Sequence, residues 1–128
     1  TFFFRDVTDE ERLVYETVRQ ANEAAAALVR PGVLFCDVDK AARDVIEQAG
    51  YGKYFTHRLG HSIGMCDHEP GDVGPVHREP MEVGVCHSIE PGIYLPGKFG
   101  VRIEDLCIVQ EAGGEIINHY SHELDVIA

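Results

Sequence analysis

Apolar residues recur at steps of three and four positions along residues 14–28, which is the spacing of one face of an α-helix. The recurring positions are Val14, Val18, Ala21, Ala25 and Leu28. Thr8 followed by Glu11 has the form of a capping box, in which a hydroxyl and a carboxylate satisfy the free amides of a helix start. Pro31 and Gly32 end the pattern. The sequence therefore predicts a long helix between Thr8 and Pro31.

A second helical pattern follows, and the sequence predicts that it starts near Asp37 and stops at Gly50, where a positive φ is tolerated. Its predicted buried face consists of small and branched apolar residues: Val38, Ala41, Ala42, Val45, Ile46 and Ala49. Residues 1–5 contain three phenylalanines and no capping residue, which favours a strand. Two helices thus occupy most of residues 8–49.

Beyond Tyr51 the pattern changes to glycine, proline, histidine and short β-prone runs. The predicted strands lie within residues 83–89, 92–95, 101–109 and 115–117. Turns are predicted at Pro96-Gly97-Lys98 and at Ala112-Gly113-Gly114. The expected class is α+β, with two amino-terminal helices packed on a mainly antiparallel sheet.

The amino-acid composition and net charge argue against several classes of function. The 128 residues are 45% hydrophobic and 26% charged, which is typical of one folded domain. Twenty-two acidic and eleven basic residues give a net charge of −11, which disfavours nucleic acids and anionic membranes. The four cysteines form no Cys-x-x-Cys pair and are expected to be reduced, mostly buried thiols. The absence of a long apolar run and of a signal segment predicts a cytoplasmic protein.

Histidines cluster near glycines in the middle of the chain, at His57, His61 and His68. Gly60 and Gly64 flank the segment of His61, so the backbone can bring this imidazole close to a buried centre. Two histidines spaced i to i+4 also occur in the zincin helix. Gly60 and the missing glutamate after His57 exclude that motif here.

Carboxylates occur at the ends of two later apolar segments. Glu90 is followed at once by Pro91 and Gly92, and a charge there is costly to bury unless it is paired or coordinated. Arg102 and Glu104 share one face of their segment, and an exposed ion pair between them would be worth less than about 1 kcal/mol. Glu90 alone could equally be held by a nearby amide. Together, one histidine and two carboxylates in apolar strands suit a metal site.

Three motifs of this chain resemble the Xaa-Pro dipeptidases and aminopeptidases of the creatinase and methionine aminopeptidase, or "pita-bread", family. They are residues 51–64, Glu-Pro-Gly-Ile-Tyr at 90–94 and Gly-Val-Arg-Ile-Glu-Asp at 100–105. Residues 33–52, with a Val-Asp and an Ala-Ala-Arg element, fit as well. The resemblance implies an incomplete pita-bread fold and metal-dependent hydrolysis of the peptide bond preceding proline.

The same resemblance implies a role for each candidate residue. His61, Glu90 and Glu104 match metal ligands, and Glu90 also matches the carboxylate that transfers protons. The remaining candidates match residues around the ligands: His57 and His68 grip the substrate, and Arg102 supports the metal-binding carboxylate. Two divalent ions are implied, manganese first, with cobalt or zinc possible. Carboxylate-rich ligation with one imidazole favours ions that prefer oxygen over a thiolate zinc site. The implied partners are a proline-containing dipeptide or peptide and a second copy of the protein in a homodimer.

The chain also departs from the family pattern. Ser62 stands where glycine is usual, and Cys86 and His87 stand where apolar or hydroxyl residues are usual. Two aspartate ligands of the family precede the segment that resembles residues 1–4 and are absent. Residues 1–128 are therefore expected to be the carboxy-terminal part of a catalytic domain without its upstream ligand-bearing strands and amino-terminal domain. Alone they should be inactive, bind metal weakly and self-associate through residues 2–4.

Two other functions stay open from the sequence. A creatinase-like hydrolase shares the fold without metal, but the joint presence of His61, Glu90 and Glu104 counts against it. A non-catalytic binding module would have no need of these three residues. Dipeptidase and aminopeptidase activity are not distinguished by the chain.

Overall fold

A computed structural model describes all residues from 1 to 128. Two helices come first, α1 (Asp9–Leu28) and α2 (Phe35–Gln48), and a short 3-10 turn covers Gly52–Tyr54. The strands are β1 (Phe3–Phe4), β2 (Gly60–Ser62), β3 (Glu69–Val73), β4 (Cys86–Ile89), β5 (Gly92–Leu95), β6 (Phe99–Arg102), β7 (Asp105–Gln110), β8 (Gly113–Ile116) and β9 (Val126–Ile127). The predicted α+β class is confirmed.

Helix α1 begins at the predicted capping box. Thr8 Oγ1 accepts from the Glu11 amide at 3.2 Å, and Glu11 Oε2 accepts from the Thr8 amide at 2.7 Å. These hydrogen bonds lower the pKa of the Glu11 carboxyl. The predicted apolar face is buried from Val14 to Ala25, and the helix ends at Leu28, before Pro31 and Gly32. The prediction for this element is confirmed.

Helix α2 begins at Phe35 rather than near Asp37. Two amides of its first turn donate to carbonyls of a distant loop, Phe35 to Glu79 at 3.1 Å and Cys36 to His77 at 2.9 Å, so tertiary contacts set its start. The helix ends at Gln48, and Ala49, predicted to be buried, is an exposed C-cap residue.

The main sheet has five antiparallel strands in the order β3-β2-β4-β7-β8, and β5-β6 forms a separate hairpin. Its predicted turn is confirmed, with Gly97 at φ 74° and the Lys98 amide donating to Leu95 at 3.0 Å. The predicted strand over 101–109 is two strands, interrupted at residues 103 and 104. The predicted turn at 112–114 ends earlier, since β8 begins at Gly113. β1 pairs with β9 in parallel.

The core lies between the two helices and the main sheet. No helix combines the length and the apolar content that a membrane crossing needs. All four cysteines are free, but only Cys107 is buried, and Cys66 is exposed. The prediction of mostly buried thiols was wrong, because Cys66 lies on the exposed loop between β2 and β3. Leu59 and Ile89 belong to this core, and they lie next to the candidate residues His61 in β2 and Glu90 after β4.

Candidate metal and catalytic site

His61 lies in β2, pressed against the neighbouring strand β4. A side chain at Gly60 would collide with the carbonyl oxygen of Ser88, so glycine permits the close approach of the two strands. The His61 amide donates to Ser88 Oγ at 3.0 Å, and the His61 ring is buried. The glycine before His61 therefore brings the imidazole to a buried centre, as the sequence predicted.

Glu90 follows the last residue of β4 and lies beside His61. Its amide donates to the Leu59 carbonyl at 2.8 Å, and its Oε1 accepts from Ser88 Oγ at 2.9 Å. Only 14% of the Glu90 side chain is exposed, and Oε1 lies 3.3 Å from His61 Nε2. Two of the predicted metal ligands are thus adjacent.

The ring nitrogens of His61 face two acceptors. Nδ1 lies 3.0 Å from the carbonyl of Ser62, which can only accept, so Nδ1 carries a proton. In the neutral ring Nε2 then bears a lone pair directed at the Glu90 carboxylate. Two such atoms repel each other unless they share a proton or a metal ion.

Arg102 lies between the two candidate carboxylates. Its Nη1 is 3.7 Å from Glu90 Oε2, and its Nε is 4.0 Å from Glu104 Oε2. Nowhere in the chain do three histidine, cysteine, aspartate or glutamate side chains converge closely enough to hold a metal ion. Glu104 is therefore linked to the His61 and Glu90 pair through Arg102 rather than joined to it, and its role as a ligand stays a prediction.

His57 contacts the site through a tyrosine. Its Nδ1 lies 2.6 Å from the carbonyl of Arg58 and therefore donates, which leaves Nε2 to accept from the Tyr94 hydroxyl at 2.9 Å. Burial raises the pKa of Tyr94, Arg102 opposes this, and the charges of Glu90 and Glu104 add to it. The phenol is therefore a protonated donor at neutral pH.

His68 lies on the loop between β2 and β3 and is largely exposed. Its ring stacks on that of His61, with centroids 4.1 Å apart and planes inclined by 29°. Nδ1 of His68 is 3.4 Å from the carboxylate of Asp67. The structure thus brings His68 to the solvent side of the His61 ring.

An open cleft of about 670 Å³ adjoins the site. It is lined by Thr1, Tyr94, Gly100, Arg102, Glu104 and Tyr120. The cleft is large enough for a small ligand and carries charges of both signs. Tyr120 comes from the carboxy-terminal segment, for which the sequence predicted no role.

Several residues near the site were not identified from the sequence. Tyr94 ends the motif Glu-Pro-Gly-Ile-Tyr at 90–94, and its position four residues after Glu90 was the available signal. Asp105 is buried; its Oδ1 accepts from Asn118 at 2.7 Å and from His122 at 3.0 Å, and its Oδ2 has no partner. No local pattern signals this contact between β7 and the carboxy-terminal segment. A third group consists of Asp39 and Arg43 on helix α2.

Solved structures of peptidases have the same architecture. The dipeptidase PepE from Mycobacterium ulcerans superposes with a TM-score of 0.95 at 43% identity, over 98% of this chain and 34% of that one. The X-Pro aminopeptidase from Thermotoga maritima MSB8 superposes with a TM-score of 0.93 at 35% identity, over 99% and 36% of the two chains. The fold is therefore part of the pita-bread architecture of prolidases and X-Pro aminopeptidases.

Sequence comparison leads to the same class. An Xaa-Pro dipeptidase of Lactobacillus helveticus is 44% identical over 120 residues, which are 94% of this chain and 33% of the relative. Residues 1–111 match metallopeptidase family M24. The chain belongs to metallopeptidase family M24. It spans about a third of the length of the relatives that it matches.

Proposed function

We propose that the full-length protein is a metal-dependent peptidase that hydrolyses the peptide bond preceding proline. Residues 1–128 form the carboxy-terminal part of its catalytic domain in this proposal. The observation that carries it is the pair of His61 Nε2 and Glu90 Oε1, 3.3 Å apart and nearly buried, inside a family of metallopeptidases. Relatives named as Xaa-Pro dipeptidase and X-Pro aminopeptidase support the class of substrate.

The residues present fit a divalent cation at His61 and Glu90. His61 Nε2 and Glu90 Oε1 lie 3.3 Å apart there, both are atoms that can ligate a metal, and a cation bound by both would stabilise this arrangement. Glu104 is the third ligand in the proposal. One nitrogen and several carboxylate oxygens favour manganese, with cobalt and zinc as alternatives. Two such ions, when bound, would supply Lewis-acid activation of water and of the scissile carbonyl.

Glu90 is proposed to carry the proton during hydrolysis. Its Oε1 already accepts from Ser88 Oγ, which fixes the carboxylate plane, while Oε2 faces Arg102 at 3.7 Å. The guanidinium partly balances the charge of the two carboxylates and so holds Glu90 and Glu104 on either side of it. Arg102 acts in this proposal as the support of the ligands.

His57 and His68 are proposed to hold the substrate. His57 presents a ring fixed by Tyr94 and by the Arg58 carbonyl, so binding a substrate atom at Nε2 requires displacement of the tyrosine hydroxyl. His68 covers one face of His61, and its side chain is 65% exposed and lies 3.4 Å from the carboxylate of Asp67. The cleft beside Tyr94 and Arg102 supplies the volume for the peptide.

The proposal includes a cytoplasmic homodimer that binds neither nucleic acid nor membranes. Four free cysteines suit a reducing compartment. The net charge of −11 repels phosphate backbones and anionic lipids.

The test uses the full-length protein and Xaa-Pro dipeptides and longer Xaa-Pro peptides. Chelation should abolish hydrolysis and manganese should restore it, while Glu90→Gln should lower kcat by at least about 100-fold. Glu111→Gln, a change at an exposed turn, is the matched control and should retain activity.

Two results would contradict the proposal. Hydrolysis that persists in chelator and survives Glu90→Gln would favour the metal-free, creatinase-like reaction. Saturable peptide binding without hydrolysis, with every ion tested, would favour a binding module.

Residues 1–128 alone are proposed to be inactive and to bind manganese weakly, because no three donor side chains converge in this part of the protein. Calorimetric titration of this polypeptide with manganese measures the affinity directly. Tight binding of two ions per chain would overturn this statement.

A further inference from the structure

Helix α2 carries a nearly buried ion pair that faces the site segment. Arg43 and Asp39 lie one helical turn apart, and Nε and Nη2 of Arg43 each donate to one carboxylate oxygen of Asp39 at 2.8 Å. Only 1% of the Asp39 side chain and 22% of the Arg43 side chain are exposed. Because a desolvated pair of this kind often contributes little net stability, its other contacts bear on its role.

The remaining hydrogen-bonding groups of the pair hold residues 55–59, which belong to no sheet. Arg43 Nη1 donates to the Phe55 carbonyl at 3.2 Å, and Nη2 donates to the His57 carbonyl at 3.0 Å. Asp39 Oδ1 accepts from the Leu59 amide at 3.0 Å. The guanidinium also lies over the Phe55 ring, 4.2 Å from its centroid. Side chains of α2 thus replace the neighbouring strand that this segment lacks.

The segment held in this way leads to both halves of the site. The Leu59 carbonyl accepts from the Glu90 amide at 2.8 Å, so Leu59 connects Asp39 to Glu90 through its own main chain. Arg43 donates to the carbonyl of His57, and the His57 ring accepts from the Tyr94 hydroxyl. The pair therefore fixes the backbone on which His57 and Glu90 depend.

We propose that Asp39 and Arg43 are positioning residues for the proposed peptidase reaction. They set the distance between the His57 ring and the Glu90 carboxylate by holding residues 55–59 against α2. This inference rests on the function proposed above. The positioning role requires a guanidinium group. One planar guanidinium contacts a carboxylate, two carbonyls and an aromatic ring, and the ammonium group of lysine cannot make all of these contacts.

The first measurement is steady-state kinetics of the metal-loaded, full-length protein. Arg43→Lys keeps the positive charge, and Asp39→Asn/Arg43→Gln removes both charges at similar volume. Each should lower kcat by about 10- to 100-fold through misplaced catalytic groups, with KM little changed. The matched control is Lys40→Gln/Asp44→Asn, which removes an exposed ion pair of the same spacing on the same helix and should leave kcat unchanged.

The second measurement does not depend on activity. Nuclear magnetic resonance of histidine labelled in the ring reports the tautomer of His57, for which the hydrogen-bonding partners favour a proton on Nδ1 and an acceptor at Nε2. Both variants of the positioning pair should show mixed tautomers or a shifted His57 signal. The control variant should keep the wild-type spectrum.

The outcomes separate this inference from the proposed function. A wild-type protein that hydrolyses no Xaa-Pro peptide would refute the function, and the His57 spectrum would still decide the role of the pair. If the double variant does not fold, Arg43→Lys decides. A folded Arg43→Lys variant with wild-type kcat and an unchanged His57 spectrum would overturn the inference, as would equal losses in the control variant.

Discussion

His87 is a fully buried residue of β4 that faces the interior near Phe35. Its Nδ1 lies 3.0 Å from the Ser88 carbonyl, and its Nε2 has no hydrogen-bonding partner. Burial lowers the pKa of this imidazole from its ordinary value of 6.5, and the bond to Ser88 offsets only part of the effect. The folded protein therefore holds His87 in its neutral form.

A buried neutral histidine makes stability depend on pH. The unfolded chain takes up the proton first as the pH falls below 6.5, so stability is complete above that value and is lost below it. His87→Leu should remove this contribution, at most about 1.4 kcal/mol per pH unit. Urea unfolding near pH 7.5 and near pH 5.5 measures the difference. His119→Gln, at an exposed histidine, is the control, and an equal flattening in that variant would contradict the prediction.

A substitution at Gly60 tests the close packing of β2, which carries His61, against β4, which carries Ser88. In Gly60→Ala the new methyl group meets the Ser88 carbonyl oxygen, a backbone atom that moves only with its strand. The substitution should lower the free energy of unfolding by about 1–3 kcal/mol. Gly74→Ala is milder, because its methyl meets only the Arg58 side chain at 3.2 Å. Chemical denaturation compares the two, and equal losses would show that strand packing is not the cause.

Residue types, their spacing and the resemblance to a known family together select six candidate site residues, namely His57, His61, His68, Glu90, Arg102 and Glu104. Spacing does not reveal which of them touch. The hydrogen bond from the Tyr94 hydroxyl to His57 and the one from the Leu59 amide to Asp39 join residues that are 37 and 20 positions apart. Such contacts depend on how elements pack, and no short-range pattern encodes them.

At the scale of elements, α1 is the part that the sequence predicted best, and its start can be tested. Thr8→Ala removes the hydroxyl that accepts from the Glu11 amide and should lower stability by about 1 kcal/mol. Thr56→Ala, at an exposed threonine outside both helices, is the control. Thermal unfolding of the two variants gives the comparison. A loss of stability confined to Thr56→Ala would refute the capping role.

Strands β2 and β3 were missed because their sequences lack the signals of a strand. Gly60–Ser62 has three residues, and Glu69–Val73 begins with glutamate, proline and glycine. Their pairing also shifts register between His61 and Ser62. They form strands because the rest of the sheet holds them, since β2 pairs with β4 and β3 pairs with β2. Helix α1 needed no such support, since its capping box and its apolar face lie within one continuous segment.

At the scale of the whole molecule, apolar side chains remain exposed on and beside the β1-β9 pair. Phe2 and Phe4 are 59% and 61% exposed, and Val126 and Ile127 lie on the partner strand. The net charge of −11 opposes association of two copies of the chain through these side chains. Residues 1–128 should therefore self-associate more strongly as added salt screens the repulsion.

Sedimentation velocity at low and high salt measures this association. Phe2→Ser/Phe4→Ser should remain monomeric under both conditions, because it removes the exposed aromatic surface. Val76→Ser, at another highly exposed apolar residue, should associate as the wild type does. A wild-type protein that is monomeric at high salt would contradict the prediction.

The hydrogen bonds of the Leu59 main chain bear on which substitutions position 59 tolerates. Both of its hydrogen bonds, to Asp39 and to Glu90, are made by main-chain atoms. Any residue with an amide hydrogen can make them, so position 59 can drift among apolar residues over evolutionary time without disturbing the link. Only proline lacks the donor and would break it. The residue type at position 59 therefore does not reveal that its main chain links helix α2 to Glu90.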